Sequence, residues 1–127
     1  MSSILLVEDD YQIGELYRDF FIDKGYVVFW AKNGKEGLIH AFENRPDIII
    51  LDLVMPTMDG MSVLSELRGD RWGSKVPVIV MTNLNPIEAM MNKFTEYVPI
   101  QVLLKIDVTP EDVLNKVKEV LSTLKKV

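Results

Sequence analysis

The segment IIILDLVMPTMDGMS, residues 48–62, decides the interpretation of this chain. Its four large aliphatic residues, Ile48–Leu51, are typical of a strand that is buried on both faces. The run ends at Asp52, although aspartate is a poor strand former and burying it without a partner is unfavourable. A proline and an Asp-Gly turn follow soon afterwards. The segment therefore predicts a central strand that carries an acid to a site able to compensate its charge.

Short apolar runs alternate with helical patterns along the rest of the chain. The predicted strands are Ile4–Val7, Tyr26–Ala31, Ile48–Leu51, Val76–Met81 and Val102–Leu104. Residues suited to turns or helix caps precede the predicted helices: Asp10, Asn33, Asp59, Asn85 and Thr109. The first helix, residues 10–24, is predicted to bury one apolar face: Ile13, Leu16, Tyr17, Phe20 and Phe21.

This alternation predicts an α/β fold of the (βα)5 type. Strands that are joined by helices become parallel neighbours through right-handed crossovers, and continuous apolar strands require helices on both faces of the sheet. We expect a doubly wound, flavodoxin-like, five-stranded parallel sheet in the order 2-1-3-4-5, with strands 1 and 3 adjacent. We also expect residues 1–127 to form one domain, with no output domain in this chain.

Composition limits the classes of partner. The formal net charge of −5 and the pI near 4.8 argue against nucleic acid or an anionic membrane as the main binding surface. The chain has no cysteine, which rules out disulfides, thiolate chemistry and Cys-zinc sites. No apolar stretch approaches the roughly 20 residues that span a bilayer. We expect a cytoplasmic protein that is a monomer or a weak dimer.

Polar residues follow four of the predicted strands at the edge where parallel strands end. They are Glu8 and Asp9 after strand 1, Asp52 after strand 3, Thr82 after strand 4 and Lys105 after strand 5. Three neighbouring carboxylates repel one another and favour a cation, and oxygen ligands of this kind suit Mg²⁺. Asp52 beside such an ion can act as a nucleophile towards a phosphoryl group, with the Lys105 ammonium as a second cation.

Four motifs resemble the receiver domain of two-component response regulators, the CheY-like family. These are EDD (8–10), DLVMPTMDG (52–60), Thr82 after VIVM and Lys105 after VLL, so the resemblance extends over essentially the whole chain. It implies a signalling switch rather than an enzyme. The phosphoryl group would come from a histidine kinase or a phosphotransfer protein, and the switched surface would meet a downstream protein.

The resemblance also implies a role for each site residue. Asp52 would be the phosphoacceptor. Mg²⁺ would be held by Asp9, Asp52 and the Val54 carbonyl, and by Glu8 through water. The phosphoryl group would be sensed by Thr82 and Lys105, which would shift the loop after the fourth strand and the surface formed by the last two helices and the fifth strand.

Two positions depart from the family pattern. Receivers usually carry an aromatic residue three positions before the lysine, where this chain has Val102, and a cis proline after it, where this chain has Ile106. A cis bond before a residue other than proline costs about 3–4 kcal/mol. We therefore expect a trans Lys105–Ile106 bond, an atypical switch and a displaced Lys105.

Two apolar residues border the expected path of the hydrolytic water. They are Val54 and Leu84, each two residues beyond a predicted site residue. Since neither side chain can hold water by hydrogen bonds, we expect the phosphorylated form to hydrolyse slowly.

Two other functional classes stay open. The first is a receiver that binds its partner without phosphorylation, which Val102 and Ile106 favour. The second is an aspartate-nucleophile phosphatase, which would need a second acid where this chain has Val54. The two tryptophans, Trp30 and Trp72, suggest only packing or exposure.

Overall fold

The computed structural model describes residues 2–55, 58–83 and 101–125 of the 127-residue chain. The strands are β1 (Ser3–Val7), β2 (Val27–Ala31), β3 (Ile48–Asp52), β4 (Val78–Thr82) and β5 (Gln101–Leu104). The helices are α1 (Tyr11–Asp23), α2 (Gly34–Asn44), α3 (Gly60–Arg68) and the C-terminal helix (Pro110–Lys125), and Lys105–Asp107 forms a 3₁₀ turn. The helix predicted to start at Asn85 and the predicted site residue Leu84 lie outside the described residues.

The five strands form one parallel sheet in the order β2-β1-β3-β4-β5. This order confirms the predicted doubly wound topology. β3 lies between β1 and β4 and is fully buried, as its unbroken aliphatic sequence predicts. The carboxyl ends of β1 and β3 are adjacent, because Val7 pairs with Leu51.

Each face of the sheet contributes to its own hydrophobic core. Alternate residues of β1 illustrate the division: Leu5 and Val7 pack on the side of α2 and α3, and Ile4 and Leu6 pack on the side of α1 and the C-terminal helix. The same alternation along β3 sends Leu51 to the first core and Ile50 to the second. The rigid three-layer arrangement fixes the strand ends from which the site is built.

Side-chain caps begin the helices where the sequence predicts them. Asp10, Asn33 and Asp59 each accept a hydrogen bond from a backbone N–H three residues later, at 2.8–3.0 Å. Before the C-terminal helix, Thr109 and Asp112 form the reciprocal capping box: each side chain accepts from the backbone N–H of the other.

The predicted buried face of α1 is wrong at one position. Leu16 is 56% exposed, whereas Gly14, Tyr17 and Phe21 are the buried residues of this helix. The spacing of three and four residues along 14, 17 and 21 follows the helical repeat, and Leu16 falls outside that stripe.

The predicted fourth strand starts too early. β4 begins at Val78 rather than Val76. Pro77 has no N–H to donate to a neighbouring strand, and the Val76 carbonyl accepts a hydrogen bond from the Arg68 guanidinium at 2.9 Å.

Among the described residues, no helix combines the length and the apolar character that a membrane span requires.

Candidate functional site

Three carboxylates meet at the carboxyl ends of β1 and β3. Glu8 follows the last residue of β1, Asp52 is the last residue of β3, and one carboxylate oxygen of each lies within 4.8 Å of one oxygen of Asp9 and of the other. Glu8 and Asp52 are buried, with 1% and 5% of their surface exposed, and Asp9 is exposed. The predicted convergence of acids from distant parts of the chain is therefore present.

Lys105 places its ammonium between the two buried acids. Its Nζ lies 2.7 Å from Glu8 Oε1 and 2.8 Å from Asp52 Oδ2, and 11% of its side chain is exposed. The expected displacement of Lys105 is wrong, because the 3₁₀ turn at Lys105–Asp107 presents this side chain to the acids. The described residues contain no cis peptide bond, as expected for Lys105–Ile106.

The remaining carboxylate oxygens have different surroundings. Asp52 Oδ1 accepts a long hydrogen bond of 3.3 Å from the Val54 N–H, and Glu8 Oε2 accepts one of 3.1 Å from the Asp10 N–H. Within the part of the chain that the structure describes, the Asp9 carboxylate has no hydrogen bond or ion pair. Asp9 is exposed, so it presents carboxylate oxygens that bond no described residue to solvent at the mouth of the site.

Burial dominates the electrostatics of the site. It raises the pKa of Glu8 to about 6, even though the hydrogen bond and charge of Lys105 act in the opposite direction. Burial on its own would lower the pKa of Lys105, but its hydrogen bonds to Asp52 and Glu8 and their charges raise it above its ordinary value. Lys105 is thus held as a cation. Its single positive charge cannot neutralise the three carboxylates of Glu8, Asp52 and Asp9.

The acids fit a hard divalent cation. Three carboxylates with oxygens this close provide the type of ligand that Mg²⁺ prefers. The Asp9 carboxylate is exposed and bonds no described residue, which leaves room for the several waters that Mg²⁺ usually retains. The donor set therefore agrees with the cofactor that the sequence predicts.

The other predicted site residues differ in their exposure to solvent. Thr82 ends β4 in register with Leu104 and is completely buried. Val102 is 41% exposed on β5, and Ile106 is 81% exposed on the 3₁₀ turn. Val54 is also exposed.

Sequence reasoning missed two residues that shape the site. The Trp30 indole N–H donates to the Glu8 carbonyl at 3.0 Å, although the sequence suggests only packing for this residue. Gly60 starts α3 against the end of β3, where a Cβ atom would lie 2.4 Å from the Asp52 carbonyl oxygen. Neither contact is easily predicted from the sequence. Trp30 bonds a residue that is distant in the chain, and Gly60 approaches a residue on the other side of a turn.

The sequence profile of the response regulator receiver domain matches residues 4–118. The chain belongs to this family. Receiver domains are signalling switches of two-component systems, they bind Mg²⁺ at an acidic pocket, and they interact with histidine kinases or phosphotransfer proteins. The acidic cluster of this receiver domain lies at the carboxyl ends of β1 and β3.

Curated relatives of this receiver domain include transcriptional regulators. The DNA-binding dual master transcriptional regulator RpaA of Synechocystis is 35% identical over 74% of this chain and 39% of its own length. The probable C4-dicarboxylate response regulator DctR of Priestia megaterium is 32% identical over 81% of this chain and 45% of its own length. The chain thus spans less than half the length of these relatives.

Solved structures of receiver domains superpose closely on this one. The receiver domain of a signal transduction histidine kinase from Syntrophus aciditrophicus has a TM-score of 0.88 at 28% identity, covering 100% of this chain and 95% of that one. The chemotaxis protein CheY4 of Vibrio cholerae has a TM-score of 0.85 at 27% identity, covering 94% and 98%.

Proposed function

We propose that this receiver domain accepts a phosphoryl group on Asp52 from a histidine kinase or a phosphotransfer protein. The observation that carries the proposal is the position of Lys105, whose ammonium bonds Asp52 Oδ2 at 2.8 Å beside two further acids. A buried aspartate that is held by a lysine and lies next to metal-type ligands is poised for nucleophilic attack on phosphorus.

The transfer needs one free oxygen on Asp52. Oδ2 is bonded to Lys105, whereas the one hydrogen bond of Oδ1 to a described residue is the 3.3 Å contact with the Val54 N–H. We assign Oδ1 as the attacking atom: the new P–O bond forms there while the P–N bond of the phosphohistidine donor breaks. The donor imidazole retains the electron pair of that bond and takes up a proton.

Charge compensation explains why the acids are grouped. Mg²⁺ would be held by Asp9, Asp52 and the Val54 carbonyl, and by Glu8 through water, and when bound it would neutralise the carboxylates and the phosphoryl oxygens. Asp9 contributes the oxygens that are free in the described structure. Glu8 and Asp52 keep Lys105 charged, since their hydrogen bonds raise its pKa.

Lys105 and Thr82 are proposed to report the phosphoryl group to the rest of the molecule. The Lys105 ammonium would exchange Asp52 Oδ2 for a phosphoryl oxygen, and the buried Thr82 at the end of β4 would turn its hydroxyl towards the same group. The resulting shift would alter the surface near β5, where Val102 is exposed in place of the usual aromatic residue.

Incubation with phosphoramidate and Mg²⁺, followed by intact-mass measurement, tests the proposal. The natural protein should gain the mass of one phosphoryl group, and Asp52→Asn should gain none. Asp23→Asn is the matched control, because Asp23 is an exposed acid at the far end of α1. A gain that persists in Asp52→Asn would place the acceptor elsewhere.

One observation favours a second function. Ile106 is 81% exposed and Val102 is 41% exposed, so apolar side chains lie on the surface where typical receivers switch. They support a receiver that binds its partner without phosphorylation. Absence of any mass gain with phosphoramidate, acetyl phosphate or a kinase would favour this second function over the first.

A further inference from the structure

The indole of Trp30 is bonded to the loop that carries the acids. β2 runs beside β1, with Leu6 in register with Trp30 and Val7 in register with Ala31. Just beyond β1, the Glu8 N–H donates to the Ala31 carbonyl at 2.9 Å, and the Glu8 carbonyl accepts from Trp30 Nε1 at 3.0 Å. Both main-chain polar groups of Glu8 are thus fixed to β2, the second of them by a side chain.

The bonded carbonyl belongs to the peptide unit that joins Glu8 to Asp9. A peptide unit is planar, so a fixed carbonyl direction also fixes the Asp9 N–H and restricts the position of the Asp9 Cα atom. No hydrogen bond or ion pair to a described residue holds the Asp9 carboxylate itself. Its place at the mouth of the site therefore depends on the main chain that Trp30 holds.

Gly14 provides the space for this indole. A Cβ atom at Gly14 would lie 2.2 Å from Trp30 Cζ2 and 2.3 Å from Cε2, much closer than packed carbon atoms approach. The Gly14 N–H donates to the Asp10 carbonyl, which places Gly14 in the first turn of α1. The helix that follows the acidic loop is therefore packed directly on Trp30.

Charged and aromatic groups hold the outer side of the ring. Tyr11 makes an edge contact with Trp30, with 5.1 Å between ring centroids. Lys32 Nζ lies 4.7 Å from the Tyr11 ring and 5.2 Å from the Trp30 ring, and Arg18 Cζ lies 5.3 Å from the Trp30 ring. The indole is thus contacted by α1, by Lys32, which follows β2, and by the acidic loop.

We propose that Trp30 is a positioning residue that sets the Mg²⁺ affinity of this receiver domain through its hydrogen bond to the Glu8 carbonyl. The inference rests on the proposed metal site. Trp30 touches no reacting atom; it holds the peptide that presents Asp9. Residues that orient metal ligands from outside the coordination sphere tune metal affinity in many proteins.

Trp30→Phe tests the inference, since it keeps an aromatic ring and removes the N–H donor. Calorimetric titration with Mg²⁺ should show binding weakened by about fivefold to tenfold. Trp72→Phe is the matched control, because Trp72 packs against Phe42 on the other side of the sheet. It should leave Mg²⁺ affinity unchanged, even if both variants lower the melting temperature in EDTA.

The outcomes separate this inference from the proposed function. If the natural protein and Trp30→Phe bind Mg²⁺ equally, the positioning role is wrong and the metal site stands. If the natural protein binds no Mg²⁺, the proposed function fails and the inference fails with it.

A second measurement does not depend on the folding of Trp30→Phe. The chain has two tryptophans, so Trp72→Phe leaves Trp30 as the only indole. Its emission should change on addition of Mg²⁺, with the same midpoint as the calorimetric titration. Emission that stays constant while Mg²⁺ binds would overturn the coupling between Trp30 and the acidic loop.

Discussion

At the residue scale, the site is a balance between burial and charge. Glu8 and Asp52 are withdrawn from water, and one ammonium, that of Lys105, contacts both. Burial nevertheless raises the pKa of Glu8 to about 6, so the attraction of Lys105 does not fully offset the lost hydration. The ionised form of Glu8 is therefore unfavourable for folding in the metal-free protein.

Without metal, the stability of Glu8→Gln relative to the natural protein should increase as pH rises. The folded-state pKa of Glu8 is raised, so its protonated form stabilises the fold at low pH, and this contribution is lost as pH rises through about 6. Between about pH 5 and about pH 7.5, the difference in unfolding free energy should grow in favour of the variant by about 1 kcal/mol.

Urea unfolding in EDTA at the two pH values measures this difference. Glu66→Gln serves as the control, because Glu66 is exposed on α3, and it should leave the pH profile as it is. If the difference in unfolding free energy between Glu8→Gln and the natural protein does not change with pH, burial does not raise the pKa of Glu8.

Val54 should govern the lifetime of the phosphorylated form. Val54 is 60% exposed, two residues beyond Asp52, and its side chain offers no group that can hold an attacking water. We expect the natural phospho-form to persist for minutes or longer in Mg²⁺, and Val54→Asn to shorten that lifetime severalfold. Loss of phosphoryl mass with time measures both, and a natural half-life of seconds would contradict the expectation.

At the scale of helices and strands, the sequence predicts most of the architecture because its signals are local. Caps such as Asp10 and Asp59 bond to the first turn of the helix that follows them. A continuous aliphatic run such as Ile48–Leu51 predicts a buried strand. Boundaries are less certain where a distant group intervenes. At the start of β4, Pro77 can be read from the sequence, but the hydrogen bond from Arg68 to the Val76 carbonyl cannot be inferred from the strand alone.

Gly60→Ala should disturb the junction between β3 and α3. The added methyl group would lie 2.4 Å from the Asp52 carbonyl oxygen and 2.7 Å from Leu53 Cα, both backbone atoms that cannot yield easily. We expect a loss of about 1–3 kcal/mol in unfolding free energy and slower phosphorylation of Asp52. Chemical denaturation and intact-mass time courses measure the two effects.

Gly69→Ala is the matched control at the other end of α3. Gly69 has a φ of −81°, and the atoms nearest to its added methyl group lie 3.6 Å and 3.7 Å away, at ordinary contact distances. It should be neutral or stabilising by a few tenths of a kcal/mol. Equal stability of the two variants would show that the close approach at Gly60 does not constrain the site.

At the scale of the whole molecule, topology creates the site. Glu8, Asp52 and Lys105 are far apart in the chain and meet only because strand order 2-1-3-4-5 brings their strand ends to one edge. The alternating pattern predicted that order, so the convergence was predictable. The position of Lys105 was not, because a departure from the family pattern at Ile106 suggested displacement, whereas a 3₁₀ turn retains the contact.

The contact of Trp30 with the acidic loop could not be predicted from the sequence either. A tryptophan near the end of a strand has many structural explanations, and nothing local indicates that its indole bonds the carbonyl of Glu8, 22 residues away. The space that Gly14 leaves for the Trp30 ring also cannot be predicted without knowing the register of β2 on β1. Such cross-element contacts require the three-dimensional structure.

Mg²⁺ binding connects the site to global stability. An ion that binds the folded site and not the unfolded chain stabilises the fold by mass action, by about 2.7 kcal/mol at one hundred times its dissociation constant. The melting temperature should therefore rise with Mg²⁺ concentration.

Calorimetric titration of the natural protein, Asp9→Ala and Asp23→Ala with Mg²⁺ tests most directly whether the clustered acids share one ion. We predict a single site in the natural protein and in Asp23→Ala, and no binding or a greatly weakened site in Asp9→Ala. Unchanged Mg²⁺ binding in Asp9→Ala, or no binding to the natural protein, would show that these acids do not share one ion.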